Sequence, residues 1–578
     1  VKLGNITNGG HLNITTNAKA NQKSVINGNI INKSGDLNIT ENKDNAEIEI
    51  GGNISQKEGN LTISSDKINI TKQITIKKGI DVESSGSDVT ANLTIKTKEL
   101  KLAGDLNISN FDKAEVVAKG NNDLTIGNSD GNGNAEAKTV TFNNVNESKI
   151  SADGHNVTLN SKVETSGNNG GAKSNSNNDT GLTITAKNVE VNKDIASHKT
   201  VNITASENVT TKAGTTINAT TGNVKLTAVK SDIQGGIKSN SGDVNITTST
   251  GSINGKIESS SGSVTLTATE GALAVGNISG NTVTITADKG KLTTQANSKI
   301  SATSDVTTSS QSGDISGTIS GKTVSVTATT DSLTVKGGAK INATEGAATL
   351  TAESGKLTTQ TGSSITSSNG QTTLTAKDSS IAGNINAANV TLNTTGTLTT
   401  TGDSKINATS GTLVINAKDA ELNGEASGNR TEVNATNASG SGSVTAETSS
   451  NVNITGDLST VNGLNIISKN GKNTVVLKGA EIDVKYIQPG VASVEEVIEA
   501  KRVLEKVKDL SDEERETLAK LGVSAVRFVE PNNTITVNTQ NEFTTKPSSQ
   551  VTISEGKACF SSGNGAAVCT NVADDGQQ

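Results

Sequence analysis

Large side chains are almost absent from this sequence of 578 residues. It has no Trp or Met, one Tyr and five Phe, and only 31% of its residues are hydrophobic. A conventional globular core needs large apolar side chains, so this composition argues against the three or four compact domains that the length alone suggests. Val, Ile and Leu nevertheless recur at short intervals along the chain. The combination is typical of a solenoid, in which each repeat buries a thin layer against its neighbours.

Other scarce features exclude further classes of protein. No apolar run approaches the roughly 20 residues of a membrane helix, so we expect no transmembrane segment. The net charge of −7 and the dispersed lysines disfavour nucleic acid as a partner, because phosphate binding needs clustered Lys and Arg. Proline is absent before Pro489, as expected where every strand is central and must donate to a ladder. The chain begins at Val1 without Met or a signal peptide, and we expect a processed product or the C-terminal part of a longer protein.

A five-residue pattern, Val-x-Ile/Leu-Thr-Ala, returns most often after 19 to 24 residues. The related segments that begin at Val283, Ala348 and Leu413 are 65 residues apart, and 65 residues correspond to three coils of about 22. The period predicts an all-β fold, a right-handed parallel β-helix with about 20–22 residues per coil. Strand alternation predicts that Val283 and Ile285 face inward while the threonines face outward. Copies of the pattern begin at Leu182, Val201, Val224, Val264, Val283, Val324 and Ala348.

Gly and Asn pairs stand where the coils should turn. Gly276-Asn277, Gly280-Asn281 and Gly383-Asn384 are examples, and we expect them to supply the positive φ angles that tight corners require.

The composition divides the chain into three parts. Residues 1–484 form the predicted β-helix rod. Residues 485–530 contain two capping boxes and many helix-forming residues, which predict a small helical hairpin. This hairpin would cap the open end of the rod, dock on a partner, or do both. Residues 531–578 are expected to hold short strands and a tail. One strand is predicted just before this part, at 526–529, and one within it, at 534–537.

Residues that could carry chemistry are scattered. His11, His155 and His198 lie in separate coils without repeated acidic neighbours. Single Asp residues follow small residues and are interpreted as turn residues, namely Asp36, Asp105, Asp153 and Asp457. Residues 127–133 are interpreted as a loop, because the register of a calcium-binding repeat does not return. We therefore expect no catalytic site, no metal site and no cofactor.

Asn-x-Ser/Thr sequons are abundant, about 26 in number, although random order would give roughly two-thirds of them. In Asn-Ile-Thr the Ile faces the core, so Asn and Thr share the outer face. The pattern permits glycosylation without proving it. The candidate sites are Asn5, Asn13, Asn38, Asn53, Asn60, Asn69, Asn92, Asn107, Asn156, Asn202, Asn245, Asn277, Asn342, Asn407 and Asn453.

The two cysteines, Cys559 and Cys569, lie close to the C-terminus in a Gly/Ser-rich stretch with no nearby His. Such a pair makes a poor metal site and a plausible disulfide, which would stabilise by roughly 2–3 kcal/mol in the chain-entropy model. The compartment would then be oxidising, and the simplest role of the bond is a stabilising staple.

Residues 493–527, the strand at 531–537 and above all the ending at 558–569 closely resemble the high-molecular-weight adhesins of Gram-negative bacteria, which are exported by two-partner secretion. The repeats before them resemble the rod of the same family. The resemblance implies an adhesin at the bacterial cell surface, outer-membrane associated and partly released, that binds a receptor on host epithelial cells, for which a glycan is one candidate. The family's N-terminal secretion domain is missing from this sequence.

The same resemblance implies two bacterial partners. An outer-membrane secretion pore would hold the C-terminus by the disulfide loop of Cys559 and Cys569, a role that competes with the simple staple. A cytoplasmic glycosyltransferase would add hexoses to the sequons. The alternative function is the stalk of a secreted cytolysin or contact-dependent toxin. About 95 residues after the rod are too few for a typical toxin domain, which favours the adhesin.

Overall fold

The computed structural model describes residues 2–19, 22–79, 90–129, 136–167 and 180–454, and beyond them the backbone of eight further strands between 465 and 571. The fold is an all-β parallel β-solenoid of about 19 turns with about 22 residues per turn, and its described part contains no helix. The predicted fold class is therefore confirmed. The right-handed sense of the coil stays a prediction.

The chain forms two compact units. Unit 1 consists of Val1–Gly290 with Lys299–Thr303, and unit 2 consists of Lys291–Ser298 with Ser304–Gln578. The strands that begin in unit 1 are β1 Lys2–Leu3, β2 Ile6–Asn8, β3 Leu12–Thr16, β4 Lys23–Ile26, β5 Ile30–Asn32, β6 Leu37–Glu41, β7 Glu47–Ile50, β8 Ile54–Gln56, β9 Leu61–Ser64, β10 Lys67–Ile70, β11 Ile74–Lys78, β12 Asn92–Thr97, β13 Glu99–Leu102, β14 Leu106–Ser109, β15 Lys113–Ala118, β16 Leu124–Ile126, β17 Thr139–Asn143, β18 Glu147–Leu159, β19 Lys162–Ser166, β20 Leu182–Val191, β21 Ile195–Ser197, β22 Val201–Thr211, β23 Thr216–Ala219, β24 Val224–Thr227, β25 Lys230–Ile233, β26 Gly236–Ser239, β27 Val244–Thr248, β28 Thr250–Ile253, β29 Ile257–Ser259, β30 Val264–Ala268, β31 Leu273–Val275, β32 Ile278–Gly280, β33 Val283–Thr294 and β34 Lys299–Ala302.

The strands that begin in unit 2 are β35 Asp305–Ile315, β36 Thr318–Gly321, β37 Thr323–Ala328, β38 Leu333–Val335, β39 Lys340–Ala343, β40 Ala348–Thr359, β41 Ser364–Ile381, β42 Asn384–Thr394, β43 Thr397–Thr400, β44 Lys405–Ala408, β45 Thr412–Leu422, β46 Glu425–Ser439, β47 Ser443–Ile454, β48 Asn465–Ser468, β49 Lys472–Leu477, β50 Ala480–Lys485, β51 Val526–Val529, β52 Thr534–Val537, β53 Ser549–Ser554, β54 Lys557–Ser562 and β55 Val568–Asn571.

Three strands make one coil in the early part of unit 1. β7 pairs in parallel with β4 before it and β10 after it, and β10 pairs with β13. Where two strands of a coil join into one long strand, the partner lies two places later, as in β20 with β22. Equivalent positions of successive coils therefore stack in columns, and the core is a set of inward columns such as Ile48, Ile68 and Leu100, all at most 1% exposed.

The 65-residue period of the sequence is three coils of unequal length. In unit 2, Ile341 pairs with Ile365, Ile365 with Ile385, and Ile385 with Ile406, in steps of 24, 20 and 21 residues. Because insertions and deletions at the corners compensate over three coils, the 65-residue period is kept while single coils vary. The predicted register is confirmed.

The predicted inward and outward faces are also confirmed. Val283 and Ile285 are fully buried, whereas Thr284 between them is half-buried. The fourth residue of the repeated pattern, which faces outward, carries a hydroxyl in coil after coil of unit 1. These residues stack in register as Thr185, Thr204, Thr227, Thr247, Thr267 and Thr286.

The corners are bridged by Asn and Asp side chains, as interpreted from the sequence. The Asp36 Oδ1 atom accepts a hydrogen bond from the N–H of Asn60 at 2.8 Å, and Asp105 Oδ1 accepts one from the N–H of Thr139 at 2.9 Å. In each case the side chain of one coil satisfies a backbone donor of the next coil. Asp153 is exposed in β18, and Asp457 lies outside the described residues.

The prediction that Gly276, Gly280 and Gly383 supply positive φ angles is wrong. None of them has a positive φ, and neither does the Asn that follows each of them. A Cβ atom on Gly276 would lie 2.8 Å from the carbonyl oxygen of Asn254 in the preceding coil. Glycine stands there because adjacent coils approach closely, not because the backbone is left-handed.

Strand pairing changes from parallel to antiparallel at the C-terminal end of the large sheet. β49 pairs in parallel with β47, but β50 pairs with β49 in the antiparallel sense, which the sequence period did not predict. The predicted helical hairpin at 485–530 falls largely outside the described residues. The predicted strands β51 and β52 are present as an antiparallel pair.

Candidate functional site

The fifteen candidate sequon asparagines all lie on the outer surface. None of their side chains is buried, and Asn5, Asn13, Asn53, Asn60 and Asn277 are exposed. Four of these five precede a strand and use the amide oxygen to accept a backbone N–H of the next coil; Asn13 is the exception. These four asparagines are therefore corner residues, and strand alternation does not explain their exposure.

Sequons within strands agree better with the alternation argument. Asn202 and Thr204 share the outer face of β22, and Asn245 and Thr247 share that of β27. Neighbouring sequons also interact, because the Asn38 amide nitrogen donates to the Asn13 amide oxygen at 3.0 Å. The nitrogen of Asn38, which is the atom a glycosyltransferase would modify, is thus engaged in the folded chain.

The histidines do not converge, but one has an acidic neighbour. His155 Nδ1 lies 3.7 Å from Asp123 Oδ1. The contact arises because Asp123 is a corner residue that also accepts the N–H of Asn156 at 2.9 Å. Both side chains of the pair are exposed. In the described ranges no group of three or more His, Cys, Asp and Glu side chains could hold a metal ion.

A buried carboxylate that sequence reasoning missed lies inside a corner of unit 1. Glu41 is fully buried and accepts hydrogen bonds from the hydroxyls of Thr16 and Ser24 and from the N–H groups of Ala18 and Lys43. Burial alone would raise the pKa of the Glu41 carboxyl, but the four hydrogen bonds outweigh it and the pKa lies below its usual value. The only sequence signal was a Glu at an inward strand position.

Asp66 is a second buried carboxylate, and it has cationic partners. Its oxygens lie 2.9 Å from Lys119 Nζ and 3.5 Å from Lys98 Nζ, and one accepts the N–H of Asn45 at 2.8 Å. Burial raises the pKa of Asp66, while the hydrogen bond from Asn45 and the two lysines lower it, and the net direction is downward. The cluster ties four successive coils together at one corner.

Glu41→Gln is expected to lower the free energy of unfolding at pH 7 by about 1–3 kcal/mol, because the amide NH2 cannot accept from the buried donors. The folded pKa of Glu41 lies below 4.5, so its contribution is complete above about pH 4.5 and is lost as pH falls through the folded value. The difference between wild type and variant should therefore shrink in acid. Urea unfolding at pH 7 and pH 3.5 measures it, with the exposed Glu164→Gln as control. A difference independent of pH would contradict the assignment.

The two cysteines occupy opposed positions in a small antiparallel sheet. Cys559 in β54 and Cys569 in β55 are register partners, and β53 pairs with the other edge of β54. Opposed residues of antiparallel strands have Cα atoms about 4.5–5.5 Å apart, within the range that a disulfide spans. The disulfide stays a prediction, and the backbone register is compatible with it.

The described residues establish a long parallel β-solenoid with a filled interior and a polar outer surface. Among these residues there is no helix long and apolar enough to cross a bilayer. Compared with models of known families, with curated proteins and with solved structures, the chain gives no match.

Proposed function

We propose that this chain is part of a bacterial surface adhesin that attaches to host epithelial cells. The observation that carries the proposal is the ending at residues 558–569, which resembles that of the high-molecular-weight adhesins of two-partner secretion. The solenoid supports it because the core columns are filled by Val, Ile and Leu, which leaves the outer surface for recognition. The adhesin would lie at the cell surface, associated with the outer membrane and partly released.

The outer surface suits contact with a large, repetitive partner. The threonine column of unit 1 presents one polar side chain per coil, at the spacing of about 4.8 Å between paired strands. Contacts of this kind are individually weak, and a surface that repeats them gains through multivalency. Hexoses added by a cytoplasmic glycosyltransferase would project from the outside of the solenoid, since none of the candidate asparagines is buried.

Surface expression tests the proposal directly. Bacteria that lack other adhesins should gain attachment to cultured epithelial cells when they display this chain, measured by counting adherent bacteria against a strain that displays no chain. Deletion of residues 341–405 removes three coils and joins Lys340 to Ile406, so it keeps the columns in register. No gain in attachment from the full chain would reject the adhesin and favour the stalk of a cytolysin or toxin.

The C-terminal loop is proposed as the tether to an outer-membrane secretion pore. A closed loop between Cys559 and Cys569 cannot straighten, so it would resist passage through the pore. We expect the double variant Cys559→Ser, Cys569→Ser to be released into the medium with a nearly unchanged melting temperature, because β53–β55 form a separate sheet among the described strands. The ratio of cell-associated to released protein measures it.

Ser561→Ala in β54 is a matched control, because it removes a hydroxyl from the same strand and keeps both cysteines. Full retention of the double variant on cells would exclude the tether. A large fall in its melting temperature would instead favour the stabilising staple.

A further inference from the structure

Five Asn-Gly pairs lie within the described residues, with Asn at positions 8, 27, 254, 369 and 423. Glycine has no side chain to shield its backbone nitrogen, so this nitrogen can attack the side-chain carbonyl of the preceding Asn. The attack requires that the two groups approach closely in a suitable orientation. Because all five pairs share this chemistry, differences in their reactivity arise from the coils around them.

The pair at Asn254 is held at both reacting groups. The Asn254 amide nitrogen donates to Ser252 Oγ at 3.0 Å, and the side chain is half-buried. The N–H of Gly255 donates to the Ile233 carbonyl of the preceding coil at 3.1 Å. Attack would have to break these hydrogen bonds first.

Asn8 and Asn423 are held by hydrogen bonds to the coil that follows them. The Asn8 amide nitrogen donates to Asn32 Oδ1 at 2.9 Å, and Asn423 Oδ1 accepts the N–H of Ser441 at 3.0 Å. Rotation of either side chain toward its own glycine would break these contacts.

Asn27 is held less firmly. Its side chain is exposed, and the N–H of Gly28 donates to the Leu3 carbonyl at 3.3 Å. This hydrogen bond is longer than usual, so it restrains the attacking nitrogen only weakly.

Asn369 has none of these restraints. Its side chain is exposed and has no hydrogen-bond partner among the described residues. Residues 368–370 lie within β41 at a corner where the register shifts, and they have no register partner in the strands before or after them. The side chain and the peptide bond to Gly370 are therefore less restrained than in the other four pairs.

We infer that Asn369 is a site of spontaneous deamidation in the folded chain. The Gly370 nitrogen forms a bond to Asn369 Cγ while the Cγ–Nδ2 bond breaks, and ammonia leaves with the proton of the Gly370 nitrogen. The product is a cyclic imide. Solvent water then adds to one of the imide carbonyl carbons and opens the ring, which gives aspartate or a β-aspartyl linkage. The reaction needs no oxidant, reductant or enzyme.

The β-aspartyl product would change the corner as well as its charge. It adds a methylene group to the main chain and replaces a neutral amide with a carboxylate. The corner has little room, because a Cβ atom on Gly370 would lie 2.2 Å from the Gly346 carbonyl oxygen of the preceding coil. We therefore expect chains with this linkage to unfold at a lower temperature than unmodified chains.

Peptide mapping by mass spectrometry tests the inference after the purified full chain has been incubated at physiological temperature and mildly alkaline pH. We expect Asn369 to lose its amide at least about tenfold faster than Asn254, because the Asn254 pair must first break hydrogen bonds. Asn27 should react at an intermediate rate. Both aspartate and the β-aspartyl linkage should form at position 369. Asn369→Gln should prevent this product and leave the other four sites unchanged, because attack on the longer side chain forms a larger ring more slowly.

The same incubation in guanidinium chloride is the control. Without the fold the five pairs differ only in their flanking residues, so they should react at similar rates. Circular dichroism checks that the chain without denaturant stays folded. In that folded chain, equal rates at all five sites, or survival of Asn369 for as long as Asn254, would overturn the inference.

Discussion

Ile285→Asp is expected to lower the melting temperature sharply, whereas Thr284→Asp should leave it nearly unchanged. Ile285 is fully buried and stacks on Leu266 of the preceding coil, so an aspartate there would bury a carboxylate among aliphatic side chains. Burial of an unpaired charge costs several kcal/mol, here roughly 3–5 kcal/mol of unfolding free energy. Thr284 faces outward, and a carboxylate at that position stays hydrated.

Thermal unfolding of the two variants beside the wild type measures this difference. The two substitutions introduce the same side chain at adjacent positions of one strand, so they differ only in the face that receives it. Equal shifts of the melting transition would show that the assigned faces are wrong.

Gly255→Ala should lower the free energy of unfolding nearly as much as Ile285→Asp, although it adds only one methyl group. A Cβ atom on Gly255 would lie 1.7 Å from the carbonyl oxygen of Gly235 in the preceding coil. That neighbour is a backbone atom at the corner between the paired strands β25 and β26, so it cannot rotate away as a side chain can, and the two coils must separate. We expect a loss of about 3 kcal/mol or more, at the upper end of the cost of overpacking.

Gly10→Ala is the control for this substitution. A Cβ atom on Gly10 would meet nothing within 4 Å, and the φ of Gly10 is not positive. Its melting temperature should therefore match that of the wild type. If Gly255→Ala were as stable as Gly10→Ala, the two coils would have more space around Gly255 than the structure shows.

The features predicted correctly from the sequence are those that repeat. Three examples are the 65-residue spacing, the inward position of Ile285 and the corner role of Asp36. Each follows from a pattern that recurs many times along the chain. Periodicity predicts which face a residue occupies because every coil packs its inward side chains against the equivalent positions of its neighbours.

The features that were missed depend on a contact with a particular neighbouring coil. The need for glycine at position 276 comes from the Asn254 carbonyl, and the stability of the Glu41 carboxylate comes from donors at positions 16 and 24. Such contacts need the exact lengths of the intervening corners, which vary from coil to coil and cannot be derived from an average period.

One series of corner hydrogen bonds near the N-terminus runs in a single direction. Asn5 accepts the N–H of Asn29, Asn29 that of Asn53, and Asn53 that of Thr75, so in this series the acceptor always belongs to the coil nearer the N-terminus. A finished coil therefore presents an oriented acceptor to the segment that follows it. A chain that emerges with its N-terminal side first can fold coil by coil on a preformed template, and each added coil immediately supplies the template for the next.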